Sequence, residues 1–204
     1  MNKDDDNFII NQAFLRHLDV AKKSHTGITD DVLKAAEVIF AAMSNGNKML
    51  LCGNGGSAAD CEDFAGEWLG RYRGDRRPFP AMALSTHTST ITAVGNDYSF
   101  DQIFSRQTEA LGQKGDILAA FTTSGQSKNV LEALEVAKRK GMKTVVFTGA
   151  KGEALKTMAD VAIVVPSTET ARIQEIHRLC FHSICEYIDG KHGLLYNDPP
   201  VRLS

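Results

Sequence analysis

The sequence predicts an α/β fold, a three-layer αβα sandwich on a five-stranded parallel sheet of the flavodoxin or Rossmann-like kind. Three observations carry this expectation. Five short apolar runs recur along the interior, each bounded by turn residues. Segments with helical periodicity separate them. Two of the runs lead into Gly- or Ser/Thr-rich loops directly ahead of a helix, the junction found where open α/β sheets bind ligands.

The strands are expected at Lys48–Cys52, Ala81–Leu84, Asp116–Phe121, Lys143–Thr148 and Val161–Val165. Several are rich in Val, Ile or Leu, the pattern of strands buried on both faces. Two helices precede the first strand, near 8–24 and 29–45, with Asp30 as a candidate cap of the second and Gly46 after its end. Further helices fall near 57–70, 99–112, 127–140 and 153–159. A last helix, near 169–189, follows Pro166 and stops at Gly190. The tail from His192 contains Pro199 and Pro200 and is expected to lack regular structure. The chain reads as one domain over 1–204, with helices in 1–46, an α/β core over 47–190 and an irregular tail over 191–204. The early helices exceed what a minimal crossover needs, so their apolar surface is a candidate for burial against another subunit.

Composition narrows the function classes. Hydrophobic residues make up 43% and charged residues 24%, as in ordinary globular domains. A formal net charge of -2 gives no bulk attraction to nucleic acid or anionic membrane. No apolar run approaches the ~20 residues of a membrane span. The start, MNKDDDNFII, lacks the basic and apolar regions of a signal peptide, so a cytoplasmic protein is expected. Cys52, Cys61, Cys180 and Cys185 show no C-x-x-C spacing and read as buried thiols.

The first loop is Gly53-Asn54-Gly55-Gly56-Ser57. Its glycines permit a tight turn, and the helix start beyond it offers free N–H groups to an anion. Ser57 fits the N-cap, with Asp60 three residues on in box-like spacing. The same residues also suit a plain strand–helix turn. The second loop, Thr122-Thr123-Ser124-Gly125-Gln126-Ser127, carries four hydroxyls in six residues. Hydroxyls and backbone amides together satisfy phosphate oxygens without a strong positive charge. Two such loops point to a small phosphorylated molecule.

On the helix after the first loop, Cys61, Phe64, Ala65 and Trp68 share one side, and Asp60, Asp63, Glu67 and Arg71 the other. The acidic set is either a solvated face or an arrangement made for a neighbouring cation or metal. On the last helix Ile173, His177, Cys180, Ile184 and Ile188 form an apolar side, which makes His177 a satisfied core histidine. Gln174 lies at its flank. His182 lies opposite, at the surface or in a cleft.

The segments CGNGGSAAD (Cys52–Asp60), GRY (Gly70–Tyr72), VGNDYSFDQIFSRQ (Val94–Gln107), TTSGQSKNV (Thr122–Val130) and TARIQEIH (Thr170–His177) closely resemble phosphoheptose isomerases of the sugar-isomerase (SIS) superfamily. The resemblance extends from about Lys48 to Ile188 and implies a SIS-type sheet. It implies conversion of sedoheptulose 7-phosphate to D-glycero-D-manno-heptose 7-phosphate, which supplies heptose for cell-surface polysaccharide such as lipopolysaccharide. It also implies a homotetramer with active sites at subunit interfaces. By matching motif positions, Ser57, Thr122, Ser124 and Ser127 would hold the phosphate, and Gly55, Gly56 and Thr123 of the same loops would also bind substrate. Asn54, Arg71, Asp97 and Gln174 would contact the sugar or order the site, and Glu67 and His182 would be the acid–base pair.

One position departs from the family. Its metal site uses a His four residues before the catalytic Glu, together with that Glu, the Gln and the second His. Here the first position is Asp63, so the set is Asp63, Glu67, Gln174 and His182. Zinc, implied by the resemblance, accepts carboxylate oxygen. A mostly oxygen set shifts preference toward harder ions such as Mn²⁺ or Mg²⁺, or leaves the site metal-weak or metal-free. The substitution also keeps open a non-catalytic SIS protein that associates with a replication initiator. Because the loops account for phosphate better than for sugar length, an isomerase of another phosphosugar stays open too.

Overall fold

The computed structural model describes residues 3–193, with side chains from residue 7. Five parallel strands, β1 (Met49–Gly53), β2 (Ala81–Ala83), β3 (Ile117–Thr122), β4 (Lys143–Gly149) and β5 (Val161–Val165), lie in the order β2-β1-β3-β4-β5. The chain steps to one side of β1 for β2 and to the other side for β3. This places the topological switch point between β1 and β3, whose registered ends are Gly53 and Phe121. The two sequence-predicted loops leave the sheet at that point, where doubly wound sheets bind ligands.

Seven α-helices cover the sheet among the described residues: α1 (Lys3–Gly27), α2 (Thr29–Ser44), α3 (Gly56–Leu69), α4 (Thr88–Asp97), α5 (Ser105–Leu111), α6 (Lys128–Arg139) and α7 (Thr170–Lys191). Alternate strand residues feed two cores. Leu51, Ala119, Phe121, Val145, Phe147 and Ile163 pack with α2, α3 and α7. Leu50, Cys52, Leu118, Ala120 and Val146 pack with α4, α6 and the turn before α5. Phe121 and Phe147 stack across neighbouring strands at 4.2 Å. Phe64 of α3 stacks on Phe181 of α7 at 5.0 Å, joining the two helices that carry the site. All four cysteines are free and buried, and burial pushes Cys52 and Cys180 up to about 12.

Several boundaries differ from expectation. The segment 88–97 is helical although its Thr-rich, β-branched sequence favours helix weakly; Ile91 and Val94 on one side give it a reason to pack. The helix expected over 99–112 is a 3-10 turn, Phe100–Gln102, followed by α5, and the one expected over 153–159 is a 3-10 helix, Ala150–Thr157. Helix α2 is preceded by Ile28, with Asp30 inside its first turn instead of at the cap. Helix α7 runs through Gly190. A helical glycine costs only about 1 kcal/mol, and the buried Ile188 and Asp189 hold that turn. Most of the tail expected to be irregular, 194–204, lies outside the described residues.

The amino edge of the sheet is fastened by two aspartates. Asp116 accepts from the Lys48 backbone N–H and from the Lys48 ammonium, and also from the Gln113 N–H. Asp160 accepts from the Thr144 N–H at 2.9 Å and the Thr144 hydroxyl at 2.8 Å, and pairs with Lys143. Burial would raise both carboxyls, but these donors outweigh it and leave both below the ordinary 3.8. A depressed carboxyl adds stability above its unfolded value and loses it as pH falls through the folded one. Urea denaturation at stepped pH should therefore show stability falling as the pH drops through and below 3.8. Asp116→Asn should flatten that dependence, and an unchanged acid slope in this variant would contradict the assignment.

Candidate active site

Both loops are tightly built. At the end of β1, Gly55 precedes α3 with φ +57, and Ser57 is buried in the first turn. Ser57 is thus inside the helix and is not its N-cap, and Asp60 makes no capping box but turns toward α7. After β3, Gly125 has φ +69 and its backbone lies against Gly152, where a Cβ would come within 2.4 Å of the Gly152 Cα. Glycine is required there on both counts. Thr122 and Ser127 share a hydroxyl–hydroxyl hydrogen bond of 3.1 Å, and the Ser124 hydroxyl accepts from the Gln126 N–H. Backbone support comes from β4: the Thr148 hydroxyl donates to the Thr122 carbonyl, and the Gly149 N–H to the Thr123 carbonyl. The Asn54 and Asn129 amides exchange two hydrogen bonds of 2.9 Å, tying one loop to the other. Asn129 is a site residue that the sequence reading missed.

Beside the loops, α3 and α7 meet along a seam with three levels. At the first, the Gln174 side chain fills the space over Gly56, where a Cβ would lie 2.6 Å from its Nε2. At the second, Arg178 Nη1 lies 2.9 Å from Asp63 Oδ2 and its Nη2 donates to Asp60 Oδ1 at 3.2 Å. The third level has Glu67 on α3 and His182 on α7. Burial raises the Glu67 carboxyl above its ordinary value and Asp63 adds to the rise, while the His182 imidazole opposes it. Tyr72 lies over the His182 ring at 5.4 Å. His177 is turned the other way, into the core between Phe121 and Phe147, where burial lowers it to about 4. Neither of its ring nitrogens has a side-chain hydrogen-bond partner among the described residues.

A buried ion pair locks the end of the seam. Arg76 and Asp189 have side chains 4% and 0% exposed and meet at 2.9 Å. The Arg76 guanidinium also donates to the Glu67 and Trp68 carbonyls at 2.7 and 3.2 Å, closing the carboxyl end of α3. The turn of α3 that carries Glu67 is thereby fastened to α7.

Not every expected site residue joins this group. Arg71 is exposed and donates to the Arg73 carbonyl, and Asp97, at the end of α4, accepts from Asn96. Among the described residues neither bonds to the loops or to the seam. The proposed metal donors fare differently. Asp63 is engaged by a guanidinium, and among the described residues no group of three or more His, Cys, Asp or Glu is arranged to hold a metal ion. The donor set as placed does not fit a divalent metal.

The SIS domain family model matches residues 15–149. The chain is 47% identical over 180 residues to the phosphoheptose isomerase of Aliarcobacter butzleri, covering 88% of this chain and 95% of that protein. It is 49% identical over 183 residues to the phosphoheptose isomerase of Shewanella oneidensis, covering 88% and 93%. Among solved structures, a phosphoheptose isomerase from Francisella tularensis matches with a TM-score of 0.87 and 39% identity, over 93% of this chain and 100% of that one.

Removing one partner of a buried ion pair leaves the other charge uncompensated, at about 3–5 kcal/mol. Asp189→Ala should lower the urea-unfolding free energy by that order. A loss below about 1 kcal/mol, the level of an exposed pair, would show that the seam does not depend on it.

Proposed function

Because the chain belongs to the phosphoheptose isomerase family of SIS-domain proteins, we propose that it converts sedoheptulose 7-phosphate to D-glycero-D-manno-heptose 7-phosphate. The observation that carries this reading is the packing of α3, which bears Glu67, against α7, which bears His182, beside two loops that suit a phosphate. The phosphate is held by the hydroxyls of Ser57, Thr122, Thr123, Ser124 and Ser127 with the N–H groups of Gly55 and Gly56. Its binding energy serves to orient the reacting carbons. Asn54 and Gln174 order the sugar.

The chemistry is a proton shuttle. The Glu67 carboxylate removes the proton from the carbon beside the carbonyl. The released electron pair forms the carbon–carbon double bond, and the carbonyl oxygen takes a proton from His182, giving an enediol. His182 then recovers a proton from the neighbouring hydroxyl while protonated Glu67 returns its own to the former carbonyl carbon. Burial raises the Glu67 carboxyl, which makes it a stronger base, and a carboxylate paired with an imidazole is a common set for such exchange.

The working form is a homotetramer whose sites lie at subunit interfaces. Helix α1 supports this: Phe8, Ile9, Ile10, Phe14, Leu15 and Leu18 are all exposed on it in the single chain. An exposed apolar patch of that kind marks an interaction surface. Arg71 and Asp97 complete the sugar site in that assembly. The protein works in the cytoplasm, and no described helix is long and apolar enough to cross a membrane.

Incubation with sedoheptulose 7-phosphate in D₂O should yield aldose carrying deuterium beside the carbonyl, read by NMR. Glu67→Gln should lower kcat by about 100-fold or more with the fold intact. A natively folded protein that turns over none of this substrate would favour the non-catalytic binding reading.

A further inference from the structure

We propose that the Arg178 guanidinium is the resident cation of this site, standing where the family resemblance implies a divalent metal, so that the isomerase works without one. The inference rests on the isomerase reading for its activity arm only. Its geometric basis is the middle level of the seam. On α7, residue 178 is one turn beyond Gln174 and one turn before His182, so its side chain leaves the helix between the two α7 donors of the implied metal site. From there it reaches the third donor, Asp63, at 2.9 Å, and Asp60 at 3.2 Å. The guanidinium also lies 5.8 Å from the Phe181 ring centroid.

Charge balance leads to the same assignment. Where the family pattern has a neutral imidazole, Asp63 brings a negative charge, and Arg178 brings the matching positive one. Asp60 makes the exchange hard to reverse. It is 4% exposed, its Oδ2 has no hydrogen-bond partner among the described residues, and Arg178 supplies its ion pair. A metal ion at Asp63 would either expel the guanidinium, leaving Asp60 buried without that partner, or bind beside a fixed positive charge. Both are unfavourable. A guanidinium is permanently charged and its planar fork serves two carboxylates together, a role that a lysine fills as a point charge.

The test uses chelator-treated full-chain protein and zinc chloride in a calorimetric titration, on wild type, Arg178→Leu and Arg178→Lys, each checked for folding by circular dichroism. Wild type and Arg178→Lys should take up zinc weakly and alike. Arg178→Leu should bind at least about tenfold more tightly, a difference of about 1.4 kcal/mol. Turnover by the wild type should survive chelation. Wild-type protein that binds one zinc per chain as tightly as Arg178→Leu overturns the proposal, as does activity lost on chelation and restored by zinc. If Arg178→Leu fails to fold, the wild-type titration decides alone. If no variant turns over the sugar, the isomerase reading fails while the zinc comparison still stands or falls separately.

Discussion

The site depends on the fixed contact between α3 and α7. These helices are more than 100 residues apart in the chain, and each alone presents an unremarkable mixture of polar and apolar positions. Besides the Arg178 bridge to Asp60 and Asp63, two interactions of different kinds hold them in register. The Phe64–Phe181 stack supplies apolar area and a defined geometry. The Arg76–Asp189 pair supplies direction, because the same guanidinium holds the last carbonyls of α3. A slip of one turn between the helices would move the Glu67 side chain about 5.4 Å along the axis, well beyond the reach of a proton transfer.

The two ends of the sheet divide the labour. At the amino edge, Asp116 and Asp160 bind backbone N–H groups and make the strand starts rigid. At the carboxyl edge, the loops after β1 and β3 are held by hydroxyl, amide and carbonyl contacts that involve no strong local charge. The charges are instead concentrated in the seam. Asp60, Asp63 and Glu67 stack along α3, and Arg178 and His182 answer them from α7. Glu67 is raised, at the third level, while the Arg178 cation is spent on the two aspartates below it.

The strands were legible because four of them, β1, β3, β4 and β5, are buried on both faces along nearly their whole length and so read as apolar runs, while β2 is short and half-buried; all five lie within a residue or two of their expected positions. The loops were legible because glycine and hydroxyl residues at a strand end have few other uses. What could not be read is whatever depends on a distant partner. Asn129 looks like an ordinary first-turn residue until Asn54 is placed opposite it. Arg76 and Asp189 are two charges among many until they are found buried together. Arg178 drew no attention in the sequence, and the acidic set of Asp60 and Asp63 that it answers could equally be read as a solvated face. Gly190 misled for a simpler reason, since tertiary burial of its neighbours outweighed its weak helical propensity.

The claim that Glu67 and His182 act as one unit across the seam is tested most directly by a double-mutant cycle in kcat. Glu67→Gln, His182→Asn and the double variant would be compared with wild type. Groups that act together are strongly non-additive. The double variant should therefore be about as slow as the slower single variant. Losses that simply multiply would mean that the two side chains work independently, and the shared proton path would have to be abandoned.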